Sequence, residues 1–279
     1  MPTAPARAAL LGNPSDGYGG AVVAFAFGDF EARVELADRT GDDLALLRAA
    51  ARRAGADGAG LRLDTTIPRE VGLGGSSAIV IAALRALGVD RTPDELAQMA
   101  LAVEVEDLGM AAGLQDRLVQ AHGGVLLMDF GGGTVEALDP GLLPPLYVAW
   151  REDAGAPSGR FHGDLRARFE RGERAVVTAM AELGDVARAG AAALRTGDHP
   201  ELHRLIDRTF DLRSSFAELD PRHVRMVELA RAAGASANFA GSGGAIAGTL
   251  PDPEAFDALR ATLRAEGCDA IRPSIGPGP

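Results

Sequence analysis

Pro68-Arg69-Glu70-Val71-Gly72-Leu73-Gly74-Gly75-Ser76-Ser77-Ala78 runs without a break into the apolar stretch 79–87. Glycine lets backbone N–H groups approach an anion closely, and the unpaired donors of a helix start add to them. The serine hydroxyls can donate to phosphate oxygens or ligate Mg²⁺. The stretch therefore predicts a phosphate-holding loop that opens a buried helix, with a purely structural turn as the alternative. It is not a Walker A motif, because the chain has no lysine and all 28 of its basic residues are arginine. Nor is it the G-x-G-x-x-G turn of dinucleotide sites.

Upstream of the loop, residues 60–67 alternate as a strand and 42–55 read as an Ala/Arg/Leu-rich helix. A first strand is expected over 6–11, ended by a dense set of turn formers from Gly12 to Gly20. Residues 21–27 and 30–36 have strand character, with Gly28-Asp29 between them as a two-residue hairpin signal. Downstream, Thr92-Pro93-Asp94-Glu95 places a hydroxyl at the N-cap, proline at N1 and a carboxylate at N3. A helix should run from there to about Leu108, with Gly109 and Gly113 breaking it. A strand at 125–130 and a linker at 140–145 lead to another strand at 146–150. Residues 160–233 are almost wholly helical, with interruptions near 184, 197, 200 and Asp220-Pro221. The tail reads strand 235–239, loop 240–244, strand 245–249, helix 253–266 and a short strand near Ala270, with loose Gly/Pro residues at the end.

A net charge of −11 and the absence of a basic block argue against a nucleic-acid partner. No apolar run approaches the ~20 residues of a membrane span, so a cytoplasmic protein is expected; a homodimer is left open. Without lysine, any cationic contact to phosphate or carboxylate must come from arginine, a backbone N–H or a metal. Cys268 is the single cysteine and reads as a buried, inert thiol. His199 and His203 lack the further ligands of a zinc site, and His122 offers no competing centre. Glu104 and Asp116 lie twelve residues apart with Gly109 and Gly113 between them. A helix could deliver one carboxylate and the following turn the other. Magnesium-assisted phosphoryl transfer uses such a pair, one to hold the metal and one to orient or deprotonate the attacking hydroxyl.

Three separated motifs then occur in a familiar order. The segment from Arg7 through Asp16 to Gly19-Gly20 is similar in spacing to the sugar-binding motif of galactokinases. It departs from them at Asn13-Pro14, where they carry an acid and a histidine, which counts against galactose as acceptor. The Pro68 to Ala78 segment resembles the phosphate loop of the GHMP kinases, and Phe239 to Gly244 resembles their C-terminal glycine motif. EVEDLGMAAGLQD, Glu104 to Asp116, resembles their metal-and-base segment. Within that superfamily the chain looks most like glucuronokinases, through LLGNPSDGYGG, IPREVGLGGSSAIV, AGLQDRLVQAHGGVLLMDF, LLPPLYVAW, FDLR and FAGSGGA.

The resemblance implies an α+β, two-domain GHMP kinase fold. Its N-terminal half, residues 1–143, would be like ribosomal protein S5 domain 2, and residues 144–279 would be ferredoxin-like. It implies ATP and Mg²⁺ as cofactors and transfer of the γ-phosphate to a sugar hydroxyl, the anomeric OH of glucuronate or a related sugar. Another sugar, a non-sugar alcohol, or a catalytically silent binding protein on the same fold are the alternatives. Position by position, Gly72, Leu73, Gly74, Gly75, Ser76 and Ser77 would hold ATP together with Gly241, Ser242 and Gly243. Ser77 and Glu104 would ligate the metal. Asp116 would orient or deprotonate the hydroxyl, and Arg7 would stabilise the transferring phosphoryl group or restrain Asp116. Asp16 and Asn13 would contact the acceptor, and a uronate's carboxylate should meet an arginine, with Arg117 and Arg213 as candidates.

Overall fold

The computed structural model describes residues 2–38, 44–151, 153 and 159–276. The helix expected from residue 42 is seen as α1, Ala45–Arg53, its earlier part lying outside the described residues, as do residues 277–279 of the expected loose end. Two antiparallel sheets organise the chain. The first contains β1 (Thr3–Leu11), β2 (Ala21–Ala37), β3 (Gly60–Thr65), β4 (Val125–Asp129) and β5 (Thr134–Leu138), in the order β1-β2-β4-β5 with β3 also paired to β2. The second contains β6 (Leu146–Arg151), β7 (Asn238–Phe239), β8 (Ala245–Thr249) and β9 (Cys268–Ile271), in the order β7-β8-β6-β9.

β1 and the first half of β2 do not alternate in burial. Ala4, Ala6, Ala8, Ala9, Leu10 and Leu11 all have no exposed surface, because α2 (Gly75–Ala86) and α6 (Arg174–Thr196) both pack against these strands. Small side chains allow that close approach. α6 passes unbroken through Gly184, where an interruption was expected; a Cβ there would come within 3.0 Å of the Ala21 nitrogen, so this glycine serves packing and not chain reversal. The remaining helices are α3 (Pro93–Ala102), α4 (Leu114–His122), α5 (Gly159–Glu170), α7 (His199–Phe216), α8 (Pro221–Ala232) and α9 (Ala255–Arg264). No helix among the described residues is long and apolar enough to cross a membrane.

The expected hairpin at Gly28-Asp29 is not formed. β2 continues through it, and pairing with β1 jumps from Pro5 opposite Glu31 to Ala6 opposite Phe27, so residues 28–30 form a wide bulge. The turn residues receive the chain's tail instead: the Gly28 N–H donates to the Ser274 carbonyl (3.0 Å), and the Ser274 N–H donates to the Asp29 carboxylate (2.6 Å). β5 was not foreseen, since four of its five residues are exposed and carry little pattern. The strand expected over 235–239 shortens to Asn238–Phe239.

Two junctions position the site. The Ala9 N–H donates to the Ala240 carbonyl at 2.9 Å, which brings the loop after β7 against β1. α3 has the expected capping box between Thr92 and Glu95, but its last expected turn widens into a π-helical segment, Val103–Asp107. That widening is common at functional sites, and here it coincides with a fully buried Glu104 beside exposed Glu106.

Candidate active site

The two glycine loops touch through their backbones. Gly72 and Gly74 have φ of 78° and 76°, values that favour glycine, and Gly74 is the N-cap of α2. A Cβ on Gly72 would lie 2.9 Å from the Gly243 carbonyl oxygen, and one on Gly241 would collide with the carbonyl of Gly72. Sequence spacing alone places these loops 169 residues apart, so only the meeting of the two sheets explains why both need glycine.

Arg7, on β1, ties the loops together. Its Nη1 donates to the Gly72 and Ala240 carbonyls, each at 2.7 Å, and its Nη2 donates to Asp116 Oδ2 at 2.6 Å. Three acceptors from three segments hold the planar guanidinium in one plane, a geometry lysine lacks. Asp116 stands in the first turn of α4 with its side chain 23% exposed, so its carboxylate is fixed by Arg7 and still reachable. Gln120, one turn further along α4, donates through Nε2 to the Pro5 carbonyl (2.8 Å) and the Gly74 carbonyl (2.9 Å). Buried at 1% exposure, it locks the helix carrying Asp116 to both β1 and the first glycine loop. Sequence reasoning missed it, because a lone glutamine carries no motif.

Asp16 lies in a 3₁₀ turn, Ser15–Tyr18, pressed toward the start of α4: a Cβ on Gly113 would come within 2.5 Å of its Oδ2. The residue is only partly buried overall, but its carboxyl is enclosed. Burial first, and then the charge of Asp116, push its pKa up to about 7 against the pull of Arg7. Asp16, Asp116 and Arg7 thus form one electrostatic unit.

Glu104 accepts from Arg117 Nε at 2.7 Å and from Arg117 Nη2 through Oε2, while its Oε1 is buried with no hydrogen-bond partner. Ser77, fully buried, donates to the Gly74 carbonyl at 3.1 Å, which leaves its oxygen lone pairs for another partner. An orphaned carboxylate oxygen and a hydroxyl at the first glycine loop are hard oxygen donors that suit Mg²⁺, an ion that takes one or two protein ligands together with phosphate oxygens. No cluster of three or more His, Cys, Asp or Glu that could hold a metal occurs among the described residues.

The family model for the GHMP kinases N terminal domain matches residues 44–124, and that for the GHMP kinases C terminal matches residues 191–268. The chain belongs to the GHMP kinase family. It is 38% identical over 208 residues to glucuronokinase 1 of Arabidopsis thaliana, and 39% identical over 225 residues to probable glucuronokinase 2 of the same plant. Those alignments cover 69% and 74% of this chain, which spans 57% and 61% of the length of the two relatives. The fold is also that of Lactococcus lactis galactokinase, solved with galactose, at a TM-score of 0.82 and 14% identity, covering 99% of this chain and 93% of that one.

In this member of the GHMP kinase family two expected acceptor contacts are turned inward. Arg117, 3% exposed, is spent on Glu104 and on the Gly113 carbonyl at 2.7 Å. Arg213 has no exposed surface and donates to the Gly241 (2.7 Å) and Ser242 (3.1 Å) carbonyls; burial pulls its pKa down to about 10. Each guanidinium satisfies backbone or carboxylate oxygens that would otherwise be stranded, so neither faces an acceptor. The Asn13 side chain likewise donates to the Gly241 carbonyl at 3.0 Å, linking the Asp16 segment to the second glycine loop. Beside the first loop, a cavity of about 390 Å³ is lined by Phe30, Thr66, Pro68, Arg69, Val71 and Trp150. Its aromatic walls come from residues 120 positions apart and had no sequence signal.

Proposed function

We propose that this chain is an ATP- and Mg²⁺-dependent sugar kinase that phosphorylates the anomeric hydroxyl of glucuronate or a closely related uronic acid. The observation that carries the reading is the Arg7–Asp116 pair held at 2.6 Å beside two interlocked glycine loops, an arrangement suited to phosphoryl transfer; the choice of acceptor follows the names of the plant relatives. The N–H groups at the start of α2 and of the 241–243 loop would cradle the phosphates, and the cavity next to Pro68 would take the base. Mg²⁺, when bound through Ser77 and Glu104, would neutralise charge on the β- and γ-phosphates.

Asp116 would accept a hydrogen bond from the attacking hydroxyl and fix its line of approach; carboxylates being weak bases, positioning is its larger contribution. The hydroxyl oxygen bonds to the γ-phosphorus as the bond to the bridging oxygen of ADP breaks, and the proton leaves toward Asp116. Arg7 would balance the charge that develops on the transferring group. Asp16 would grip vicinal hydroxyls of the sugar. Purified protein with ATP and Mg²⁺ should release ADP with glucuronate, and NMR of the product should show a sugar 1-phosphate. Fast turnover of neutral hexoses with none of any uronate would overturn the acceptor assignment.

A further inference from the structure

We propose that Arg166, on α5, is the residue that recognises the carboxylate of the acceptor, an inference that rests on the uronate reading above. An anionic sugar placed beside Asp16 and Asp116 is repelled unless a cation meets its charged end. Arg7, Arg117 and Arg213 are buried and already hold protein oxygens. Arg166 is different: its side chain is 59% exposed.

Its placement is nonetheless defined. The guanidinium carbon stands 5.7 Å above the ring of Tyr18, two residues from Asp16, and Nη1 donates to the Gly17 carbonyl at 3.4 Å. Tyr18 is itself held by Phe169, ring centroids 4.6 Å apart, one turn along the same helix. Tyr18 and Phe169 both pack on the cluster of Leu165, Val176 and Met180. A stacked guanidinium keeps its in-plane donors for a bidentate carboxylate. Glu170, on its own helix, is loosely engaged at 3.8 Å and can be displaced by a better-placed carboxylate. The 3₁₀ turn would therefore grip the sugar hydroxyls through Asp16 and present Arg166, on its Tyr18 side, to the carboxyl group.

Arg166→Gln, Arg166→Lys and Glu170→Gln are compared with the wild type on glucuronate and on glucose. Arg166→Gln should raise KM for glucuronate by about tenfold or more with kcat and the KM for ATP little changed, lowering the glucuronate-to-glucose ratio of kcat/KM by a similar factor. Arg166→Lys should restore part of the loss, and Glu170→Gln should lower KM for glucuronate. An unchanged KM for glucuronate in Arg166→Gln, in an enzyme whose wild type phosphorylates glucuronate, overturns the role of Arg166 and leaves the proposed function standing. Equal losses on glucuronate and glucose indicate a packing role and also overturn it. A wild type that phosphorylates only neutral acceptors removes both.

Discussion

Asp116 and Asp16 are carboxylates a short distance apart in very different settings. Asp116 is held by Arg7 at 2.6 Å, so its charge is balanced in the resting protein. Its replacement by alanine should lower kcat by about 10²–10⁴-fold while ATP affinity, read by calorimetry, stays nearly constant. Unchanged turnover would refute the assignment. Asp16 carries the opposite bias, its pKa raised to about 7 by burial and by Asp116. Between its ordinary value near 4 and about 7, the unfolded chain has released this proton and the folded chain still holds it. Stability from this group is therefore greatest at low pH, falls as pH rises through that window, and is level above it. Asp16→Asn removes the penalty, so its gain in Tm over wild type should be larger at pH 8 than at pH 5. Equal gains at both pH values would show that Asp16 ionises as an exposed carboxylate does.

Among the elements, the α2 loop and the loop before β8 act as one device. Gly72→Ala would place a methyl group 2.9 Å from the Gly243 carbonyl at a backbone φ of 78°. The expected cost is about 1–3 kcal/mol, measured by urea unfolding, with a rise in KM for ATP because the loops are pushed apart; an unaltered KM would mean that their contact does not shape the nucleotide site. Local signals served well where the backbone chemistry is local. The Thr92–Glu95 capping box formed as written, and the glycine loop opens α2. They served poorly at Gly28-Asp29 and Gly184, because glycine answers two different needs, chain reversal and close approach. Which need applies depends on the neighbour, here the tail at Ser274 and the start of β2.

For the whole molecule, the proposed active centre lies where β1 meets the loop that follows β7, and Arg7 and Arg213 hold that meeting from its two sides. Arg213→Met should destabilise the protein by about 1–3 kcal/mol, since it leaves the Gly241 carbonyl with only the Asn13 side chain and takes a donor from the partly buried Ser242 carbonyl. KM for ATP should rise with no change in preference between uronate and neutral hexose. A selective loss on the uronate would instead make Arg213 a substrate ligand.

The sequence by itself determined the order of the motifs, the α+β plan and the helix start at the first glycine loop. These depend on residue type and short-range backbone geometry, which the chain carries along its length. Only the tertiary structure decided the partners of the charges: that Arg117 serves Glu104, that Arg213 serves the second glycine loop, and that Gln120 fastens α4 to the first. All 28 cations being arginine, residue type could not rank them. Burial could, because a guanidinium removed from water pairs most of its donors with whatever oxygens the fold brings within about 3 Å.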